Sequence, residues 1–310
     1  MSRTDTSPID PFLLIAADIK IAHSIFALPF ALLAAFLAAP GNRPGEAGID
    51  WSHFGGQLVL IVLAMVCART VAMLANRLLD REIDRHNPRT AGRALPSGKL
   101  SPRMALVALL LSTILFMLVC SAFGFIYSNW WPAILGLPVL GWISVYPLLK
   151  RFTALCHLYL GSSLALSPLA AAIAIQPESV MQQPALWLLA GMVLCWVAGF
   201  DIIYALQDLE TDRAQGLHSI PSRFGMTGGL WISRGLHVIA SACLIAAWRI
   251  DPRLNGLFAI GCFMVIALLI YEHATVHKWG TTKIALVFFT LNGIISCVLG
   301  GLGIADILLS

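Results

Sequence analysis

Two long apolar runs leave this chain few ways to fold. Residues 57–75, QLVLIVLAMVCARTVAMLA, and residues 284–305, IALVFFTLNGIISCVLGGLGIA, each approach the roughly 20 mostly apolar residues that carry an α-helix across a bilayer. Inside hydrocarbon the backbone must satisfy its own hydrogen bonds, which leaves helices or closed barrels, and a barrel would show short alternating segments instead. Of the 310 residues 58% are hydrophobic and 12% charged, against about 25% charged in soluble domains. An all-α integral membrane protein is expected, as a single domain over residues 1–310. Loops punctuate nine apolar runs, at about 13–39, 55–75, 103–126, 131–149, 154–175, 185–207, 230–248, 254–272 and 284–305, so nine transmembrane helices are expected.

The first eleven residues, MSRTDTSPIDP, lead into a run carrying Asp18, Lys20 and His23, a poor match to the apolar centre of a cleavable signal, so no cleaved segment is expected. All seven cysteines lie within or at the ends of apolar segments with no CxxC spacing, and they read as small core residues. The formal net charge is +4, yet no basic domain stands outside the spans, which argues against a nucleic-acid partner. The charge instead sets orientation. Arg77, Arg81, Arg85, Arg89, Arg93, Lys99, Arg103, Lys150, Arg151, Arg213, Arg223, Arg234, Lys278 and Lys283 fall on one side, while Arg43, Arg249 and Arg253 fall on the other. The positive-inside rule then puts the N-terminus and the first set of loops in the cytoplasm.

A stretch at the cytoplasmic edge of the second span, NRLLDREID at 76–84, has a counterpart at the same edge of the sixth, YALQDLETD at 204–212. In both, a polar residue is followed by Asp at +4 and +8, which hints at a weak internal repeat. Residues four apart are rotated by about 40° and raised about 6 Å, so Asn76, Asp80 and Asp84 share a stripe if the helix continues, as do Tyr204, Asp208 and Asp212. Asp201, seven residues before Asp208, belongs to the second stripe. Two facing rows of carboxylates need compensating charge. Oxygen ligands without nearby His or Cys suit Mg²⁺, which favours carboxylates together with substrate phosphates. A Mg²⁺-bridged diphosphate site is one reading; the other is a solvated helix end whose Asp residues pair with local Arg. The recurrence of the pattern favours the first.

A departing diphosphate also needs fixed cations. Lys150 and Arg151 in YPLLKRFT, and Arg89 and Arg93 in PRTAGRALPSG, are candidates, although Arg85, Arg89 and Lys99 read equally well as positive-inside residues. Arg69 is different, because it lies well inside the second span, where a lone charge is costly. Seven residues before Asn76, it returns to the same face about 10 Å deeper. It is expected to hold an anionic co-substrate or to pair with an Asp such as Asp201, a purely structural salt bridge being the alternative.

These residues resemble the UbiA superfamily of membrane prenyltransferases, which move a polyprenyl chain from its diphosphate onto an acceptor. Asn76, Asp80 and Asp84 fit the family's NDxxDxxxD motif, with Arg77 replacing its first Asp. NPRTAGRALPSGKLS is similar to the loop that follows in the family, and YPLLKRFTALCHLYLG to its YPxxKRxTxxPxxxLG segment, with Cys156 where Pro is usual. DIIYALQDLETDRAQGLHSIPSRFG matches the second motif almost throughout. The resemblance covers nearly the whole chain. It implies a nine-helix bundle with a central cavity opening to the cytoplasmic side. It also implies that Asn76, Asp80, Asp84, Asp208 and Asp212 bind Mg²⁺ and diphosphate, with Lys150 as a diphosphate cation; Arg77 would supply positive charge near the phosphates in place of the usual Asp, and Arg93 is expected as a further diphosphate contact. In branches acting on 4-hydroxybenzoate-like acceptors an Arg often stands seven residues before the motif's Asn, as Arg69 does; the protohaem farnesyl-transferring branch usually lacks it. The chain looks nearest to the 4-hydroxybenzoate polyprenyltransferase-like branch, which includes members of the futalosine route to menaquinone.

The expected function is Mg²⁺-dependent transfer of a polyprenyl group to the ring of an aromatic acid in ubiquinone or menaquinone biosynthesis, in the cell inner membrane. The expected partners are polyprenyl diphosphate, the aromatic acid and membrane lipid, with no obligate protein partner. The acceptor is expected at Arg69, Asp201, Tyr204 and Arg151, and Asp201 or Asp84 is the expected proton acceptor. A secondary transporter with an intramembrane Asp/Arg path would explain Arg69 and Asp201 but not the paired spacing at two helix ends. A CDP-alcohol phosphotransferase would carry a DG-x-x-AR-type motif, which is absent.

Overall fold

The computed structural model describes residues 26–41, 48–284 and 287–309, and these contain helices and turns without a strand. In chain order the helices are α1 (Leu28–Ala38), α2 (Trp51–Leu79), α3 (Arg81–His86), α4 (Pro102–Tyr127), α5 (Trp131–Leu149), α6 (Cys156–Ile175) and α7 (Ser179–Gln182). Then follow α8 (Pro184–Ala205), α9 (Leu209–Ala214), α10 (Ile220–Ile250), α11 (Gly256–Trp279) and α12 (Asn292–Leu309). Among the described residues eight helices are long and apolar enough to cross a membrane. They coincide with eight of the nine expected spans. Of the first, α1 is the described part, and residues 13–25 lie outside the described residues.

The helices start where local chemistry caps them. Asp50 accepts from the Ser52 and His53 amides ahead of α2, Ser101 caps α4 with Pro102 at its first position, and Ser219 and Ser222 form a reciprocal capping box at α10. That last cap explains one difference from the sequence reading. α10 begins at Ile220, not near 230, because the capping box starts a helix that the polar PSRFGMTGG stretch continues. Gly225 bends it there, in a conformation (φ 72°, ψ 179°) that a side chain would strain. The apolar pattern marks only the part of the helix that meets lipid.

α8 is the axis of the bundle. It packs on α6 and α10 along its length, and Leu186, Leu189, Met192, Val193, Trp196 and Phe200 on it are buried. Phe30 of α1 lies 5.4 Å from Trp196, whose indole N–H donates to Asn292 of α12 at 2.9 Å. α6 comes so close that a Cβ on Gly161 would sit 2.3 Å from the Leu194 carbonyl oxygen. The outward side chains of α4 (Leu106, Val107, Leu110, Leu111, Ile114 and Leu118) are exposed, as a surface solvated by lipid tails requires. At the end remote from the Asp motifs, buried Arg253 pairs with Asp251 at 2.7 Å and donates to Leu37 O (2.7 Å) and Gln183 Oε1 (3.0 Å), joining α1, the turn before α8 and the α10–α11 loop.

Gly161→Ala is expected to overpack the α6–α8 contact and cost about 1–3 kcal/mol. Gly235→Ala, whose added methyl meets nothing within 4 Å, is the control. Thermal unfolding in detergent should show a lowered midpoint for the first and none for the second.

Candidate active site

The two Asp motifs fold alike. α2 stops at Leu79, Asp80 adopts φ −96°, ψ 8°, and a helix of six residues, α3, carries Asp84 in its first turn. α8 stops at Ala205, a 3₁₀ turn spans Leu206–Asp208, Asp208 adopts φ −100°, ψ 4°, and the six-residue α9 carries Asp212 in its first turn. The expected straight stripes are therefore bent at the first Asp of each pair. The bend is mild, since the Asp84 N–H still donates to the Asp80 carbonyl at 2.7 Å. It is the same bend in both copies, which supports the internal repeat.

A cation closes on each carboxylate. Arg89 grips Asp208 with Nε at 2.9 Å and Nη2 at 2.6 Å, and its Nη1 donates to the Tyr204 hydroxyl at 2.9 Å. Asn87 adds an amide donor to Asp208 at 2.9 Å. Arg93 Nη1 reaches both Asp84 oxygens at 2.9 and 2.7 Å. Lys150 Nζ lies 2.7 Å from Asp212 Oδ1, and Arg151 approaches Asp80 at 3.4 Å while donating to the Leu79 carbonyl. The pairing foreseen for a bland helix end is thus present, but its key members are not local: Asn87 and Arg89 follow the first motif and hold the second. Their loop is pinned by Leu95 and Leu100, which pack on Leu74 and Ala105, and by Thr90, whose hydroxyl donates to the Asp84 carbonyl. Lys150 is held by its own carbonyl, which accepts from His218 N–H at 2.7 Å. Cys156, in the usual place of Pro, begins α6 and its thiol donates to the His218 carbonyl at 3.5 Å.

Burial of Asp80, with Asp84 nearby, lifts its carboxyl to about 6 although Arg151 opposes the shift. Burial would lower the Lys150 ammonium, but Asp212 overrides it and holds it above its ordinary value. The first shift reports how far Asp80 is taken out of water, and the second how closely Lys150 is held by Asp212. Among the described residues no three carboxylate, imidazole or thiol groups converge on one point. The donor set still fits Mg²⁺, which uses one or two carboxylates and completes its shell with water and phosphate oxygens. Asp212, 1% exposed, is paired with Lys150 and lies beside the Ser219 hydroxyl.

Asn76 donates to the Tyr146 hydroxyl at 3.0 Å and to Asp80 Oδ2 at 3.3 Å, and accepts from buried Arg77 at 2.8 Å. Arg77 thus braces Asn76 where the family pattern has an Asp. Arg69 and Tyr146 line an otherwise mainly apolar cavity of 410 Å³ between α1, α2, α4, α5 and α6, with Ser163 and Ser167 on its wall. Arg69 Nε is buried without a hydrogen-bond partner. Asp201 is not its counterion; it pairs with His157 at 2.6 Å. Sequence reasoning passed over Asn87, Tyr146 and His157 and did not separate Arg89 from topology. Tyr146 had a readable signal, one helical turn before Lys150. Asn87 and His157 had none, since their partners lie 121 and 44 residues away.

Residues 27–294 match the model of the UbiA prenyltransferase family. The chain belongs to that family. As a UbiA prenyltransferase it is similar over 223 residues, at 28% identity, to the 4-hydroxybenzoate octaprenyltransferase of Chromohalobacter salexigens, covering 72% of this chain and 71% of that one. A UbiA homolog from Aeropyrum pernix, solved in its apo form, superposes with a TM-score of 0.79 at 30% identity, over 92% of this chain and 98% of its own. A UbiA homolog from Archaeoglobus fulgidus bound to DMAPP and Mg²⁺ shares the fold, with a TM-score of 0.67 at 20% identity over 96% of this chain and 99% of that one. This chain is accordingly a multi-pass membrane prenyltransferase.

Two outcomes follow for the UbiA site. Arg89→Leu leaves the Asp208 carboxylate without its bidentate partner and should destabilise the protein by about 3–5 kcal/mol, with faster tryptic cleavage of the 87–101 loop. Asp80→Asn removes a charge that the folded state holds at a disadvantage. An acid whose folded value lies above its unfolded one loses native-state stability as pH rises between the two. With EDTA present, Asp80→Asn should therefore unfold at a higher temperature than wild type at pH 7.5, by about 2–3 kcal/mol for a shift from 3.8 to about 6, with no such gain at pH 4.

Proposed function

We propose that this prenyltransferase moves a polyprenyl group from polyprenyl diphosphate to the ring of a 4-hydroxybenzoate-like aromatic acid, with Mg²⁺ as cofactor, in the biosynthesis of a respiratory quinone, ubiquinone or menaquinone. The observation that carries the reading is the arrangement of an all-oxygen clamp, Asn76, Asp80, Asp84, Asp208 and Asp212, interleaved with Arg89, Arg93, Lys150 and Arg151, together with Arg69 lining an apolar cavity. The Chromohalobacter relative, named for its action on 4-hydroxybenzoate, and the Archaeoglobus homolog, bound to a prenyl diphosphate and Mg²⁺, support it. The whole chain serves as one transferase domain, its clamp end facing the cytoplasm from a bacterial inner membrane, in line with its Arg and Lys distribution.

In this reading the donor's diphosphate enters between the two motifs and its tail lies along the apolar cavity, continuous with membrane lipid. Bound Mg²⁺ supplies positive charge to the diphosphate oxygens. Lys150, Arg93 and Arg89 exchange their carboxylate partners for those oxygens, so that charge leaving the allylic C–O bond meets donors already in place. Arg77 holds the Asn76 end of the first motif and Arg151 its bend at Leu79 and Asp80, and Asn76 offers the clamp the second lone pair of the amide oxygen that accepts from Arg77. Arg69 binds the acceptor's carboxylate, with Tyr146 lining the same cavity and Tyr204, whose hydroxyl accepts from Arg89, on the side of the second motif. The apolar lining keeps water from the allylic cation. Asp201 takes the proton that the ring gives up.

Purified protein supplied with a polyprenyl diphosphate and a panel of aromatic acids should yield a prenylated acid, detected by mass, only with Mg²⁺. Asp80→Ala should lower the rate by a factor of about 100 or more, because the carboxylate would help hold the Mg²⁺ that offsets the charge of the leaving diphosphate. Product formation that survives EDTA would refute the metal's role. Arg69→Leu should raise KM for the carboxylated acceptor at least tenfold, as loss of a charge-assisted contact of about 1.5–3 kcal/mol implies, and leave KM for the donor within twofold. An equal loss of both affinities would make Arg69 a structural or diphosphate residue.

A further inference from the structure

His157 falls at an unspecified position of the YPLLKRFTALCHLYLG segment and is 3% exposed, in the first turn of α6. Both ring nitrogens are engaged. Nδ1 lies 2.6 Å from Asp201 Oδ2, and Nε2 lies 3.2 Å from the Ile220 backbone nitrogen. A backbone N–H only donates, so Nε2 must be the acceptor. The ring therefore carries its proton on Nδ1 and donates it to Asp201. Ile220 opens α10, and its N–H is one of the amides a helix start leaves free. The partial positive charge of that helix end also disfavours a proton on Nε2. Three elements thus meet at one imidazole: α6 through His157 itself, α10 through the Ile220 amide and α8 through Asp201.

Asp201 keeps 22% of its side chain accessible although His157 behind it is sealed. It stands on the face of α8 that leads through Tyr204 to Asp208, two helical turns from that carboxylate of the clamp. A carboxylate braced on one side and open on the other, beside the clamp, is placed to take a proton.

We propose that His157 is a positioning residue for prenyl transfer. Held as the Nδ1–H tautomer by the Ile220 amide, it fixes the rotamer of Asp201 so that the free carboxylate oxygen meets the proton of the acceptor ring. The proposal rests on the aromatic-acceptor reading above. In the step it serves, the allylic C–O bond breaks and its electron pair leaves with the diphosphate. The π pair of the ring carbon forms the new C–C bond. That carbon's C–H pair returns to the ring, its proton goes to Asp201 and then to water, and His157 keeps its own proton throughout.

The test compares His157→Leu, His157→Gln and Asp201→Asn in the full-length enzyme in detergent, with unlabelled and ring-deuterated 4-hydroxybenzoate. In His157→Leu, kcat should fall about 100-fold, the scale of a displaced general base, with KM for the prenyl diphosphate within twofold of wild type. A primary isotope effect should appear, because proton removal becomes the slow step. A glutamine amide donates to Asp201 through Nε2 and accepts from Ile220 through Oε1, so His157→Gln should recover most of that loss. The double variant His157→Leu/Asp201→Asn should be no slower than Asp201→Asn alone. Nitrogen-15 shifts of the His157 ring in the wild-type enzyme should show Nδ1 protonated and Nε2 bare, a readout independent of how any variant folds. The proposal is overturned if Nε2 carries the proton, if His157→Gln is as slow as His157→Leu, or if His157→Leu acts through both KM values without an isotope effect. Wild-type enzyme that forms no prenylated acid would instead defeat the underlying functional reading, and the proposal with it.

Discussion

The grip of Arg89 and Asn87 on Asp208 is the contact on which the site depends. Asp80, Asp84, Asp208 and Asp212 are gathered at one end of a helical bundle, mostly out of water, where unpaired carboxylates would repel and each would be costly to desolvate. Their nearest relief is a set of guanidinium and ammonium groups inserted between them. Because Arg89 comes from the loop after the first motif and Asp208 from the second, the electrostatic repair also joins the two halves. In the function proposed above, the same cations would be the groups a diphosphate needs, held on the carboxylates until a substrate competes for them.

This arrangement stands on α8. The helix is buried along its length because α6 and α10 approach it closely, the former through Gly161. Its far end is anchored by the Arg253 cluster, and its near end releases into the bend at Asp208. Rigid apolar packing in the middle and polar flexure at one end divide the labour: the bundle holds position, and the bent motifs offer oxygens. The matching bend at Asp80 shows that the two motifs are alike in backbone as well as in letters.

Much of this was legible in the chain. Apolar run length located eight of the spans to within a few residues at most boundaries, since hydrocarbon thickness sets that number regardless of what the helices touch. The larger miss, the start of α10, came from the short polar segment ahead of the Gly225 break, which Ser219 and Ser222 cap. At the candidate site, Asp80, Asp84, Asp208 and Asp212 stood out because an i, i+4 repeat in polar letters after an apolar run is rare, and Lys150 as a cation of YPLLKRFT at the turn between two spans. Arg69 was readable from its depth alone. Its suggested partner Asp201 was not right, because the competing imidazole of His157 is invisible without the fold.

By itself, then, the sequence determined that the chain crosses a membrane several times, that two acidic motifs recur at helix ends, and that a cation lies deep on the face of the first. These are properties of periodicity and of the cost of charge in hydrocarbon, and they hold for any packing of the helices. Only the tertiary structure decided which cation meets which carboxylate, that both motifs bend at their first Asp, and that His157 and the start of α10 brace Asp201. Hydrogen bonds act over about 3 Å, while the residues they join here stand tens to more than a hundred positions apart, and that distance is closed only when the helices pack.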